Sequence, residues 1–167
     1  VVGGTSQQVN GQKQDKRKDE KKGKEGKPQG EKPEPPCPTP PTAPPGVNVD
    51  NNIDIAKDYS WLNPGALVAF GNLVRNHGDW DYKQASNARP SPYEAFGNFN
   101  YGATGAAMGM PDQVLLRMAG VASIVAGTSP KDSSNPLWRA PYGDSPVDQS
   151  WIEKGIEYSK CVAGAAL

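Results

Sequence analysis

The chain has 167 residues, with 18 Lys and Arg against 18 Asp and Glu and a single His, so its net charge argues neither for nor against a polyanionic partner. A membrane-spanning helix needs roughly 20 consecutive apolar residues, and the best run here, around Met118 to Ala126, is short and contains Ser123. No basic region followed by an apolar stretch opens the sequence as a signal peptide would. The start at Val1 instead of Met is expected of a C-terminal piece of a longer polypeptide whose upstream part handles targeting.

The neutrality averages two unlike parts. Residues 1–49 hold 9 basic and 6 acidic residues, 9 of the 17 prolines and no Phe, Trp or Tyr, whereas residues 50–167 hold 9 basic and 12 acidic residues and every aromatic. A segment without large apolar side chains cannot offset the entropy of ordering a chain. Residues 1–49 are therefore expected to be a disordered tether, charged from Gly11 to Lys32 and then nearly polyproline from Pro33 to Pro45. Residues 50–167 make one small domain. Cys37 and Cys161 are too few and too far apart for a zinc cluster or a CxxC redox pair. A disulfide between them would need an oxidising compartment; two separate thiols are expected, because Cys37 sits in the flexible stretch.

Beyond Asp50, helix-start signals recur in which a capping or turn residue precedes an early helical proline. Asn63-Pro64 opens a helix with Leu67, Phe70, Leu73 and Val74 on one stripe. Ser91-Pro92-Tyr93-Glu94 reads as a capping box. Pro111-Asp112 opens the clearest helix, with Val114, Leu115, Met118, Val121, Ala122 and Val125 as its core stripe before Gly127. Ser145-Pro146 starts the last, carrying Trp151, Ile152, Ile156 and Tyr158. Period-2 alternation is nearly absent, so the fold class is mainly α, with Gly- and Asn-rich loops.

The segment from Tyr93 to Gly105 repeats glycine at 97, 102 and 105 among Asn98, Asn100, Tyr101 and Thr104. Glycine permits close backbone approach, while amide, phenol and hydroxyl groups offer neutral donors and acceptors suited to a sugar or peptide. Self-satisfied asparagines in a tight turn would look the same. Glu94 begins this segment beside Tyr93, Phe96 and Phe99; a carboxyl against apolar rings holds its proton, as a general acid must, although a capping box also asks for Glu there. Between Asn76 and Lys83, the only His, His77, meets Asp79 and Asp81, and Trp80 and Tyr82 are placed to anchor the loop. Asp79 and Asp81 would supply a second carboxylate for Glu94, orient His77 as a base or bind a cation, or the loop is simply exposed and polar. Asp144, Ser145 and Asp148 read first as a turn and a helix cap. No phosphate-cradling GxxxxGK[ST] pattern occurs, and neither a metal nor another cofactor is expected.

Trp80-Asp81-Tyr82-Lys83, Gly97-Asn-Phe-Asn-Tyr-Gly-Ala-Thr-Gly105 and Pro141-Tyr-Gly-Asp144, followed by a Trp-Ile-x-x-Gly-Ile helix, resemble the bacterial polymorphic toxin type 44 family from Trp61 to Lys160. The resemblance implies a C-terminal warhead of a secreted effector, delivered into a rival bacterium and neutralised in the producer by an immunity protein. A nuclease would bring cationic charge to its substrate, and the −3 carried by residues 50–167 makes nucleic acid an unfavoured partner. A peptidoglycan glycosidase needs a protonated carboxyl, a second acidic group and a polar groove. Glu94, Asp81 or Asp79, and Lys83, Asn98, Asn100, Tyr101 and Thr104 offer that set, with a periplasmic target. The alternatives are a nuclease using His77 with Asp79 or Asp81 and Lys83, and a binding module without catalysis.

Overall fold

A computed structural model describes residues 36–88, 90–131 and 135–165. Most of the expected tether, residues 1–35, lies outside the described residues. Among those described there are five α-helices and no strand: α1 (Val49–Lys57), α2 (Pro64–Val74), α3 (Glu94–Ala107), α4 (Asp112–Val125) and α5 (Pro146–Gly164). A short 3-10 turn, Tyr82–Gln84, stands between α2 and α3. None of these helices is long and apolar enough to cross a membrane.

The caps explain most of the boundaries. Asn63 accepts from the Gly65 and Ala66 N–H groups at the start of α2, and Ser145 accepts from those of Val147 and Asp148 at the start of α5. Ser91 accepts from the Tyr93 N–H at 3.3 Å instead of from that of Glu94, and α3 starts with Tyr93 at its N-cap position and no side-chain cap, so the expected capping box does not form. Helix α1 has a sequence signal that the proline count obscured: Asn48 caps it through the Asp50 N–H, and Ile53 and Ala56 fall one turn apart on its buried side.

Helix α3 is the hub, packed lengthwise on α5 and also touching α1, α4 and the 3-10 turn. The Gly- and Asn-rich stretch expected to be a loop is this helix. Each glycine inside a helix costs about 1 kcal/mol relative to alanine, and here the crossing with α5 outweighs that cost. A Cβ on Gly102 would run into the Ile152 carbonyl oxygen, and one on Gly155 would run into that of Phe99. The two helices therefore meet backbone to backbone. Phe99, Ala103, Ile152 and Ile156 close the core around the contact.

Three further expectations change. The folded unit begins near residue 35, not at Asp50: Pro44 is buried, and Ala43 and Val47 pack on the core. Cys37 and Cys161 are joined in a disulfide, their Cα atoms 5.7 Å apart, and the proline stretch packs back on the core through Ala43 and Val47 instead of trailing away. In α4, Leu115 and Leu116 are buried, but Met118, Val121 and Val125 are 45%, 46% and 82% exposed. The apolar period located that helix correctly, yet its second half leaves the core and becomes a wall.

Gly102→Ala and Gly155→Ala should each lower stability by about 1–3 kcal/mol through overpacking. Gly71→Ala in α2, where a Cβ meets nothing within 4 Å, should instead stabilise. Urea unfolding of the three variants checks this, and a stabilised Gly102→Ala would remove the crossing as a constraint.

Candidate active site

Between the end of α2 and the second half of α4 opens a cleft of about 580 Å³, floored by Gly97, Asn98 and Tyr101 of α3. A second lobe of about 370 Å³ adjoins it, sharing Asn76, Lys83, Ala126 and Thr128, and is lined by Glu94 and Asp148. The larger lobe is lined by the apolar Val74, Met118, Ala122 and Val125 together with the charged Arg75, Asp81, Lys83 and Asp144.

The loop after α2 aims its polar groups through two buried aromatics. Trp80 is buried edge-on against Phe70, at 6.4 Å between ring centroids, and its backbone N–H donates to the Leu73 carbonyl. The buried Tyr82 accepts from the Asn52 side-chain amide at 2.8 Å. Between them Asp81 accepts the His77 backbone N–H at 2.8 Å, closing a turn in which His77 takes φ 62°. Lys83 comes directly after Tyr82, its stem lying against Gly97, where a Cβ would stand 3.2 Å from the lysine Cγ.

Asp148 enters from the first turn of α5, where Ser145 holds the backbone. Its carboxylate accepts from the Asn98 side-chain amide at 2.7 Å, across 50 residues of sequence. Burial pushes the Asp148 carboxyl above the usual aspartate range; Lys83 opposes the shift, Asp144 and Glu94 add to it, and the Asn98 hydrogen bond lowers it again. Behind Asp148, the buried Asp144 accepts from the Ser123 hydroxyl and, at 3.1 Å, from the Gln149 side-chain amide, which also donates to the Leu116 carbonyl. This network ties the loop before α5 to the wall formed by α4.

The sequence candidates thus separate into groups. Asp81, Lys83, Asn98 and Tyr101 line the larger cleft, and Lys83 and Glu94 line the smaller lobe. The Tyr101 hydroxyl is turned away, donating to the Leu115 carbonyl at 3.0 Å, and burial drives its ionisation far above the ordinary tyrosine range. Asn100 and Thr104 are fully buried: Asn100 accepts from the Asn52 amide, and the Thr104 hydroxyl donates to the Asn100 carbonyl at 2.6 Å. Neither lines the cleft; Asn100 joins α3 to α1, and Thr104 bonds within its own helix. His77 and Asp79 are both exposed and line neither lobe. Phe96 and Phe99 pack on Tyr82 and Tyr158 in the core, so they do not wall Glu94.

Sequence reasoning undervalued Asp144 and Asp148, because a carboxylate after Ser-Pro is also what a helix start favours. Their long-range partners, Ser123 and Asn98, leave no local signal. Among the described residues no group of three or more His, Cys, Asp or Glu is arranged to hold a metal ion.

A family model described as bacterial toxin 44 matches residues 69–160, more than half of the chain. The chain belongs to that toxin family. The matched span of this toxin domain runs from α2 through most of α5, and so carries both lobes of the cleft. No curated protein and no solved structure matches the chain.

The raised carboxyl of Asp148 makes stability depend on pH. A carboxyl whose folded pKa exceeds its unfolded value takes up protons on folding, so its penalty is absent below the ordinary value of 3.8 and grows as pH rises through the folded pKa. Asp148→Asn, which cannot ionise, should gain in melting temperature relative to the parent protein on going from pH 3 to pH 7. A difference that stays flat with pH, measured by calorimetry, would show that Asp148 titrates normally.

Proposed function

We propose that this toxin domain hydrolyses the glycan of peptidoglycan, with Asp148 as the general acid and Glu94 as the second carboxylate. The observation that carries the reading is the lobe itself: two helix-start carboxylates, from α3 and α5, line one pocket beside Lys83. A glycosidase needs its two carboxyl groups in different protonation states. Burial favours the proton on Asp148, which would deliver it to the glycosidic oxygen as the bond to the sugar breaks. Glu94 would activate water or stabilise the oxocarbenium-like sugar, and Lys83 would neutralise part of the negative field. Asn98, besides orienting Asp148, and Asp81 supply amide and carboxylate contacts for sugar hydroxyls or acetamido groups. Val74, Ala122 and Val125 offer an apolar surface to the sugar ring and its methyl groups.

Charge favours this substrate over nucleic acid. Asp81, Asp144, Glu94 and Asp148 line the cleft against Arg75 and Lys83, a balance that repels a polyanion. Of the residues a nuclease would use, His77 and Asp79 stand outside the cleft, while Asp81 and Lys83 line it. In this reading the domain is the terminal part of a secreted effector, delivered to the periplasm of the target cell by upstream domains of its own polypeptide. An immunity protein covering the cleft would protect the producer.

Incubation with purified wall sacculi should release glycan fragments detectable by mass spectrometry. Asp148→Asn and Glu94→Gln should each reduce the rate by about 10²-fold or more, with their unfolding transitions retained. Intact sacculi alongside degraded RNA would replace the reading with a nuclease; full activity in both variants would move the chemistry elsewhere.

A further inference from the structure

Residues 36–48 form a strap that enters α1 and is bonded at Cys37 to Cys161 of α5, 124 residues away. Backbone attachment of this strap is limited by its composition. Prolines at 36, 38, 40, 41, 44 and 45 carry no N–H to donate, and its apolar anchorage comes from Ala43, Pro44 and Val47. Helix α1, into which the strap leads, reaches both α5 and the candidate site: the Tyr158 hydroxyl of α5 donates to Asp50 at 2.7 Å, and Asn52 holds Tyr82, the neighbour of Lys83. The disulfide thus adds a covalent tie to the contacts that keep α1 against α3 and α5, and closing so long a loop removes much freedom from the unfolded chain.

We propose that Cys37 and Cys161 form a redox latch that closes only after export. In the reducing cytoplasm where the chain is made, both are thiols. In an oxidising compartment the two thiols lose two protons and two electrons to a disulfide donor, either a dithiol oxidase or a small-molecule disulfide, which leaves as two thiols while the Cys37–Cys161 bond forms. The strap then locks α1 in place and the domain reaches full stability away from its producer. The latch holds whichever bond the toxin cuts, and its test needs no substrate.

The full chain is equilibrated in glutathione buffers from reducing to oxidising, then followed by urea unfolding, thiol alkylation with mass spectrometry, and limited proteolysis. Oxidation is expected to yield one Cys37–Cys161 bond, to raise the folding equilibrium constant roughly thirty- to a thousand-fold, and to protect residues 36–48 from cleavage. Cys161→Ser should behave in every buffer as the reduced parent does. Complete unfolding on reduction supports the latch in its strongest form. Cysteines that remain alkylatable in oxidising glutathione would overturn it, as would a bond that forms without changing stability or strap protection; the parent protein alone decides both outcomes if Cys161→Ser fails to fold.

Discussion

The crossing of α3 over α5 is the constraint on which the rest of the structure depends. Gly102 and Gly155 let two backbones touch, and no side chain larger than hydrogen fits at either point. Close approach fixes the rotation of both helices. Once Gly102 faces Ile152, the side of α3 bearing Asn98 is committed to the side of α5 bearing Asp148, and the 2.7 Å bond between them becomes possible. The same rotation drives Phe99 and Ala103 into the core. Fold and candidate site thus share one cause, and the helical cost of the glycines is offset by an interface that no alanine-rich helix could make.

Around that crossing, buried polar groups act as fasteners. Asn52 bridges Tyr82 and Asn100, so α1, the 3-10 turn and α3 are held by one amide. Asp144, Ser123 and Gln149 do the same for α4 and α5. Such groups are stabilising only when satisfied, and the Asn100 side-chain nitrogen, buried with no hydrogen-bond partner among the described residues, is an exception inside the first network. The second network borders the cleft directly. A carboxylate fixed there adds to the field that raises Asp148, so packing and electrostatics are coupled at the same residues.

The exposed second half of α4 belongs to the same logic. A helix that buried its whole apolar stripe would close the space between α2 and α4; instead Leu115 and Leu116 anchor its first half, while Met118, Ala122 and Val125 face the cleft. The apolar residues that strengthen the helix signal in the sequence are, in the fold, part of the cleft wall.

The sequence by itself determined the helical class, the starts of α2, α4 and α5 and the anchoring roles of Trp80 and Tyr82, because capping, period and side-chain size are local properties. It also carried the family resemblance, in phrases that stand in order along the chain. It singled out Asp81, Lys83, Glu94, Asn98 and Tyr101, which reach the cleft, together with Asn100 and Thr104, which do not, since neighbours on a helix point in different directions and only packing decides which direction is inward. The prominence of Asp148, the fully buried state of Asn100, the Cys37–Cys161 bond and the exposure of Val125 were decided by the tertiary structure alone. Each depends on a residue or helix far away in sequence, and the separation of 124 residues between the two cysteines shows why no local pattern could contain it.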